Sequence, residues 1–237
     1  NRIVLVGIGK RDELNNEVFR RAAHAGLQVF SKLKVKEFST FAEYDLDIVR
    51  ALSDGFRLSN YSFDKYKTKN KDKFFRIEKI NMYVHEIKPE FEKAIEFSEV
   101  SCDATNFVRD LQTDDADVIN PEYLANLAKS MSSKYKIHLD LLGKSALKRN
   151  GLNLLLGVGQ GSRFESHLIV LEYKGDPGSK EKIALVGKGV TYDTGGLDIK
   201  TRMMKEMNMD MSGAAVVMGI IRAASELKLK KNIWMIT

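Results

Sequence analysis

A chain of 237 residues with 43% hydrophobic content is long enough to fill one large domain or two smaller ones around a sizeable core. Its 38 Lys and Arg against 32 Asp and Glu leave a surplus of six positive charges, spread along the chain, which solubility explains as readily as a polyanionic partner. The single cysteine, Cys102, excludes an internal disulfide framework; no run approaches the roughly 18 apolar residues of a membrane span or forms a signal-peptide core, so a cytoplasmic location is expected.

Residues 3–6 form a β-branched run ended by Gly7 and Gly9, and helical spacing follows at Phe19, Ala22, Ala23, Gly26, Leu27 and Phe30, which predicts a β-α unit. A second helix is expected over 41–56, opened by the capping candidates Ser39 and Thr40, with Leu46, Val49, Leu52 and Phe56 inward. Residues 59–73 are polar and lysine-rich and read as an exposed, solvated loop rather than a nucleic-acid contact. Strands are predicted over 75–80 and 82–84. Pro89 then starts a long amphipathic helix to about residue 111 that aligns Phe91, Ile95, Ser98, Cys102 and Val108, making Cys102 a core residue.

Beyond it come a helix over 121–134, a strand over 137–141, a helix over 142–150 and strands over 154–158, 167–173 and 183–186. An Ala/Gly-rich helix over 212–227 and an apolar strand over 232–236 close the chain. The alternation predicts an α/β sheet covered on both faces. Both ends lie beside apolar strand runs where a polar tail is more usual, which reads as a piece of a longer chain.

Several motifs are too thin to carry chemistry. The glycines of GIG at 7–9 and GVGQG at 157–161 do not complete a dinucleotide fingerprint, and they read as tight strand exits that need positive φ. His24, His85, His138 and His167 show no helical or hairpin pairing, which argues against a histidine zinc site. No G-x-S-x-G nucleophile elbow occurs.

The passage VGKGVTYDTGGLDIK at 186–200, followed by NMDMSGAA at 208–215, is different. It sets Lys188, Asp193, Lys200 and Asp210 around a glycine-rich turn directly after an apolar strand, where backbone can approach a ligand and charges can converge. Carboxylates are hard ligands for divalent cations, and a lysine serves as a ligand once its proton is lost to the metal's influence. A second, protonated lysine would supply positive charge where a carbonyl oxygen becomes an oxyanion. Spacing alone allows a purely structural reading equally well, with Lys188 paired to Asp193 and Lys200 to Asp210.

Residues 187–215 resemble the metal-binding signature of the leucyl aminopeptidases, or cytosol aminopeptidases, a family of di-metal exopeptidases. The likeness extends to RIVLVGIG at 2–9, LSNYSFDKYK at 58–67, VRDL at 108–111, NPEYL at 120–124 and LGVGQGS at 156–162, in the family's order. The resemblance implies that Lys188 and Asp210 bind the tighter metal, that Asp193 bridges both metals, and that Lys200 is the electrophilic catalyst. Met207 would line the pocket for the first side chain, with the structural alternative of an ordinary core methionine. The implied cofactors are two divalent ions (Zn or Mn, with Mg or Co as variants) and a bicarbonate acting as base.

The implied substrates are peptides with a free, preferably leucine-like N-terminal residue. The implied architecture is a macro-domain-like N-terminal α/β domain at 1–88, a linking helix at 89–112 and the first portion of an α/β catalytic domain with a mixed central sheet at 113–237, assembled as a cytoplasmic homo-hexamer.

Two departures from the family stand out. The stretch from Lys200 to Asp210 is one residue shorter than the family's, which shortens the loop at 201–204. The second family signature, NTDAEGR, whose acidic residues complete the metal cage and whose arginine holds the bicarbonate, does not occur in this sequence. These residues alone are therefore expected to be inactive. A catalytically silent homologue with a structural or nucleic-acid-binding role is the alternative, and the presence of all four charged positions weighs against it.

Overall fold

A computed structural model describes residues 2–42, 45–70 and 74–237. Two units are found, Asn1–Asn106 and Phe107–Thr237, and the division falls inside the long helix α3 (Pro89–Thr113).

In the first unit α1 (Asn16–Lys32) is followed by β1 (Glu37–Phe41), α2 (Leu46–Ser59) and β2 (Lys79–Tyr83). The Asn15 side chain caps α1 by accepting from the Glu17 and Val18 amides, and Asp45 caps α2 by accepting from Asp47. Ser39 and Thr40 therefore do not open the second helix; they belong to β1, which pairs in parallel with β2 from Glu37↔Lys79 to Phe41↔Tyr83. The core gathers Ala23, Leu27, Phe38, Val49, Leu52, Phe56 and Phe91, with Phe38 stacked on Phe30 at 4.3 Å and edge-on to Phe56 at 5.4 Å.

Residues 3–6 are not a strand. Ile3 and Leu5 are exposed, and a strand exists only through a neighbour that takes its backbone hydrogen bonds; among the described residues none pairs with this run. Of the predicted loop, residues 65–70 are exposed and 71–73 lie outside the described residues, as do residues 43–44 of the predicted second helix.

Cys102 is buried, as the helical pattern predicts, beside a polar knot. Ser98 Oγ donates to Asp54 Oδ1 at 2.5 Å, and the Cys102 sulfur lies 3.7 Å from the same oxygen. Burial first, and the Asp54 carboxylate second, push the Cys102 thiol up to about 11. The folded thiol keeps its proton to about pH 11. The unfolded thiol loses its proton near about pH 8.5, so this contribution to stability is complete below that value and is lost as pH rises through the folded one. At about pH 8 Cys102 of the native protein is expected to resist an aromatic disulfide reagent that labels it in denaturant; rapid native labelling of Cys102 would show the side chain to be accessible.

The second unit contains α4 (Pro121–Tyr135), β3 (His138–Leu142), α5 (Lys144–Arg149), α6 (Asn153–Val158), β4 (Leu168–Lys174), β5 (Ile183–Val186), α7 (Ser212–Glu226) and β6 (Asn232–Ile236). Its sheet runs β3-β4-β6-β5 and is mixed: β4 is antiparallel to β3 and β6, whereas β5 and β6 are parallel from Ile183↔Ile233 to Val186↔Ile236. That parallel pair requires a crossover, which α7 supplies. Asn120 caps α4 by accepting from Tyr123, with Pro121 in the first turn, and Lys136 ends it at φ 54°.

Leu124, Ala128, Met131, Ile169, Leu171, Met211, Met218, Ile221 and Met235 pack into one core. Residues 154–158 are helical rather than extended. A short apolar run fits either state, and a leucine triplet without β-branching favours the helix. The glycines at 157–161 consequently lie in and after α6 rather than at a strand exit, and none has positive φ; of the two predicted turns only Gly9, at φ 84°, does. No helix among the described residues is long and apolar enough to cross a membrane.

Candidate metal centre

The chain leaves β5 at the carboxyl end of the parallel pair, the position where α/β sheets present loops to ligands. Two glycines decide where it goes. A Cβ on Gly213 would lie 2.5 Å from the backbone nitrogen of Lys188, and one on Gly187 would collide with the Gly213 carbonyl, so only hydrogens fit where the strand exit passes the first turn of α7. The Ala214 amide donates to the Lys188 carbonyl at 2.9 Å, satisfying one of the donors left free at that helix start. Lys188 is thereby set beside Asp210, and its Nζ donates to Asp210 Oδ1 at 2.5 Å.

The Asp193–Lys200 segment folds back on itself. Gly195 and Gly196 take φ of 89° and 70°, and the Lys200 amide donates to the Thr194 carbonyl at 2.9 Å, closing the turn. Lys200 Nζ then reaches Asp193 Oδ2 at 2.8 Å and the Met207 sulfur at 2.9 Å, while Asp193 Oδ1 accepts the Gly195 amide at 2.9 Å. The Lys200 hydrogen bond first, and the Gly195 amide second, hold the Asp193 carboxyl below the usual carboxylate range, and the charges of Lys200 and Lys188 act in the same direction. Because Lys188 acts on Asp193 as well as on Asp210, the two ion pairs share one neighbourhood.

A buried oxygen in it is unsatisfied. Asp210 Oδ2 has no hydrogen-bond partner among the described residues. Leaving such an oxygen bare costs about 1–3 kcal/mol. The start of α7 offers it only the diffuse positive end of the helix dipole. A divalent cation would satisfy it, and two carboxylates with an amine nitrogen are donors such a cation accepts. Among the described residues no three His, Cys, Asp or Glu side chains gather, so a cation held here draws on a lysine as well as the carboxylates.

Residues 106–237 match the catalytic domain of the cytosol aminopeptidase family, and residues 1–70 match the family's N-terminal domain. The chain belongs to the cytosol aminopeptidase family. A protein of Geobacter sp. (strain M21) described as a probable cytosol aminopeptidase is 35% identical over 233 residues, which cover 96% of this chain and 48% of that protein. One of Aquifex aeolicus (strain VF5) with the same description is 35% identical over 231 residues, covering 95% and 46%. The chain thus spans about half the length of these curated relatives. Among solved structures, the bottromycin maturation enzyme BotP in complex with Mn aligns with a TM-score of 0.84 at 26% identity, over 98% of this chain and 49% of that one.

In this cytosol aminopeptidase family member the five residues singled out from sequence, Lys188, Asp193, Lys200, Met207 and Asp210, come together in one place. Their partners are exchanged relative to the structural reading: Lys188 pairs with Asp210 and Lys200 with Asp193. Sequence reasoning missed Tyr192 and Asn208. The Tyr192 hydroxyl donates to the Met204 carbonyl at 2.8 Å, and the Asn208 side chain donates to the Gln112 carbonyl at 3.3 Å. The available signal was the polar end of an aromatic side chain inside a glycine-rich loop, which usually finds a partner.

Proposed function

We propose that this protein is a metal-dependent aminopeptidase that releases apolar, leucine-like residues from the N-termini of peptides, with Lys188, Asp193 and Asp210 as ligands of divalent cations. The unpartnered Asp210 Oδ2, buried in a carboxylate paired to Lys188, whose charge also acts on Asp193, carries this reading. Membership of the family and the Mn present in the BotP structure support it. Bound divalent cations supply Lewis acidity toward a carbonyl and lower the pKa of a coordinated water.

The chain's own residues do the rest. Asp193 and Asp210 bring negative charge to the cation side of the site, and with a cation bound Lys188, which here donates to Asp210, would serve as a ligand by giving up its proton. Among the described residues Lys200 uses two of its three N–H donors, on Asp193 and Met207, and the third would face the scissile carbonyl oxygen as negative charge develops there. Met207 presents a thioether beside that ammonium, a wall suited to an apolar first side chain. From the family resemblance, the whole protein is read as a cytoplasmic homo-hexamer, which sedimentation of the purified full-length protein checks.

The test is hydrolysis of a leucine chromogenic amide by full-length protein supplied with manganese or zinc. Turnover that chelation abolishes and added metal restores is the expected result. A folded, metal-loaded protein that leaves the amide intact would end the peptidase reading. Lys200→Gln is expected to lower kcat about 100- to 1,000-fold, the scale for losing one oxyanion donor, with KM nearly unchanged.

A further inference from the structure

The loop between Lys200 and Asp210 starts exposed, at residues 201–203. Met203 is exposed and sits at φ 57°, a conformation that a residue with a side chain keeps only when its surroundings enforce it. Yet this loop must deliver Met207 to Lys200 and Asp210 to Lys188. The Met204 carbonyl is where the delivery is fixed. It accepts the Tyr192 hydroxyl at 2.8 Å and the Met207 amide at 3.3 Å, and the Met207 carbonyl in turn accepts the Asp210 amide at 3.2 Å. Tyr192 directly precedes Asp193 in the chain, so one side-chain hydrogen bond ties the segment bearing Asp193 to the segment bearing Met207 and Asp210.

The geometry points to Tyr192 as a positioning residue: its hydroxyl latches the 201–210 loop through the Met204 carbonyl and so sets the register of Met207 against Lys200. Tyr192 touches no reacting group on this account; it acts through the carbonyl that opens the short 3-10 turn at Lys205–Met209. The proposal rests on the peptidase reading for its kinetic consequence but not for its structural one. The second grip, from Asn208 to Gln112, holds the far side of the same turn, and at the Met204 end the Tyr192 hydroxyl adds a tie from outside the turn to the Met207 amide within it.

Tyr192→Phe in the full-length protein removes the latch and keeps the ring. Hydrogen exchange at the Met207 and Asp210 amides is expected to accelerate about 2- to 10-fold, the scale of one hydrogen bond, with exchange in β6 and the melting temperature near wild type. With leucine and alanine chromogenic amides, kcat/KM for leucine is expected to fall by a similar factor and the leucine-over-alanine preference to narrow. A merely structural role would accelerate exchange throughout the second unit and leave the preference ratio alone. Exchange at Met207 and Asp210 equal to wild type, or an unchanged preference in an active enzyme, overturns the latch. A wild-type protein without turnover would fail the peptidase reading instead, while the exchange measurement still decides the role of Tyr192.

Discussion

Asp210→Asn in the full-length protein is expected to keep the fold and lose divalent-cation binding, with turnover down at least about 100-fold, since even partners one step removed from a metal ligand are worth 10- to 100-fold. The substitution preserves shape. What it removes is the negative charge on an oxygen that is buried, faces no donor among the described residues and lies at the start of α7. A neutral amide is a far poorer donor to a hard cation, and half of its rotamers would present N–H groups to it.

The protein's own stability should change little. The ion pair lost is with Lys188, whose side chain is 59% exposed, and water screens such a pair. Titration calorimetry with Mn and Zn salts, run beside thermal melts, separates the two effects. Wild-type affinity in the Asp210→Asn protein would mean that the buried oxygen is no ligand, and the assignment of Lys188 and Asp193 would fall with it.

What could be read in the sequence follows from whether a signal is local. The α4 boundaries were legible because Asn120 and Pro121 announce a helix start within a few residues, and β5 and β6 because short β-branched runs sit between polar breakers. β1 was not, since EFSTF has no alternation strong enough to outweigh two residues that also cap helices. Its partner β2 lies 42 residues away, at the register Glu37↔Lys79. Residues 154–158 failed for the opposite reason: the local pattern existed but fitted both states.

At the site, the residue types were legible and the pairing was not. Which lysine meets which aspartate depends on the turn closed by Thr194 and Lys200 and on the docking of Gly213 against Lys188. Both are tertiary events that spacing along the chain does not encode. The latch from Tyr192 to Met204 is invisible for the same reason, because its acceptor is a backbone carbonyl and every residue has one.

Gly213→Ala is expected to do damage out of proportion to a single methyl group. The added carbon would sit 2.5 Å from the Lys188 nitrogen and 3.1 Å from its carbonyl oxygen. Both are backbone atoms, so no side chain can swing aside, and the relief must come from moving the end of β5 away from α7. That movement lengthens the 2.9 Å hydrogen bond from Ala214 to the Lys188 carbonyl. It also encounters a core that resists, since Met211, Ala214 and Ala215 at the helix start are fully buried.

Overpacking of this kind costs about 1–3 kcal/mol of stability. The functional cost is expected to be larger, because Lys188 rides on the displaced segment while Asp210 stays with the helix, and a displacement of about 1 Å at a reacting site costs on the order of 100-fold in rate. Gly178→Ala is the control: its added carbon would lie 3.8 Å from its nearest neighbour, an Asp176 side-chain oxygen. That change should stay within about 0.5 kcal/mol of wild type. Denaturant unfolding read together with turnover distinguishes the cases. If Gly213→Ala matched the control in both, α7 and the exit of β5 could not be in the contact that sets Lys188 against Asp210, and the site would have to be assembled by some other part of the fold.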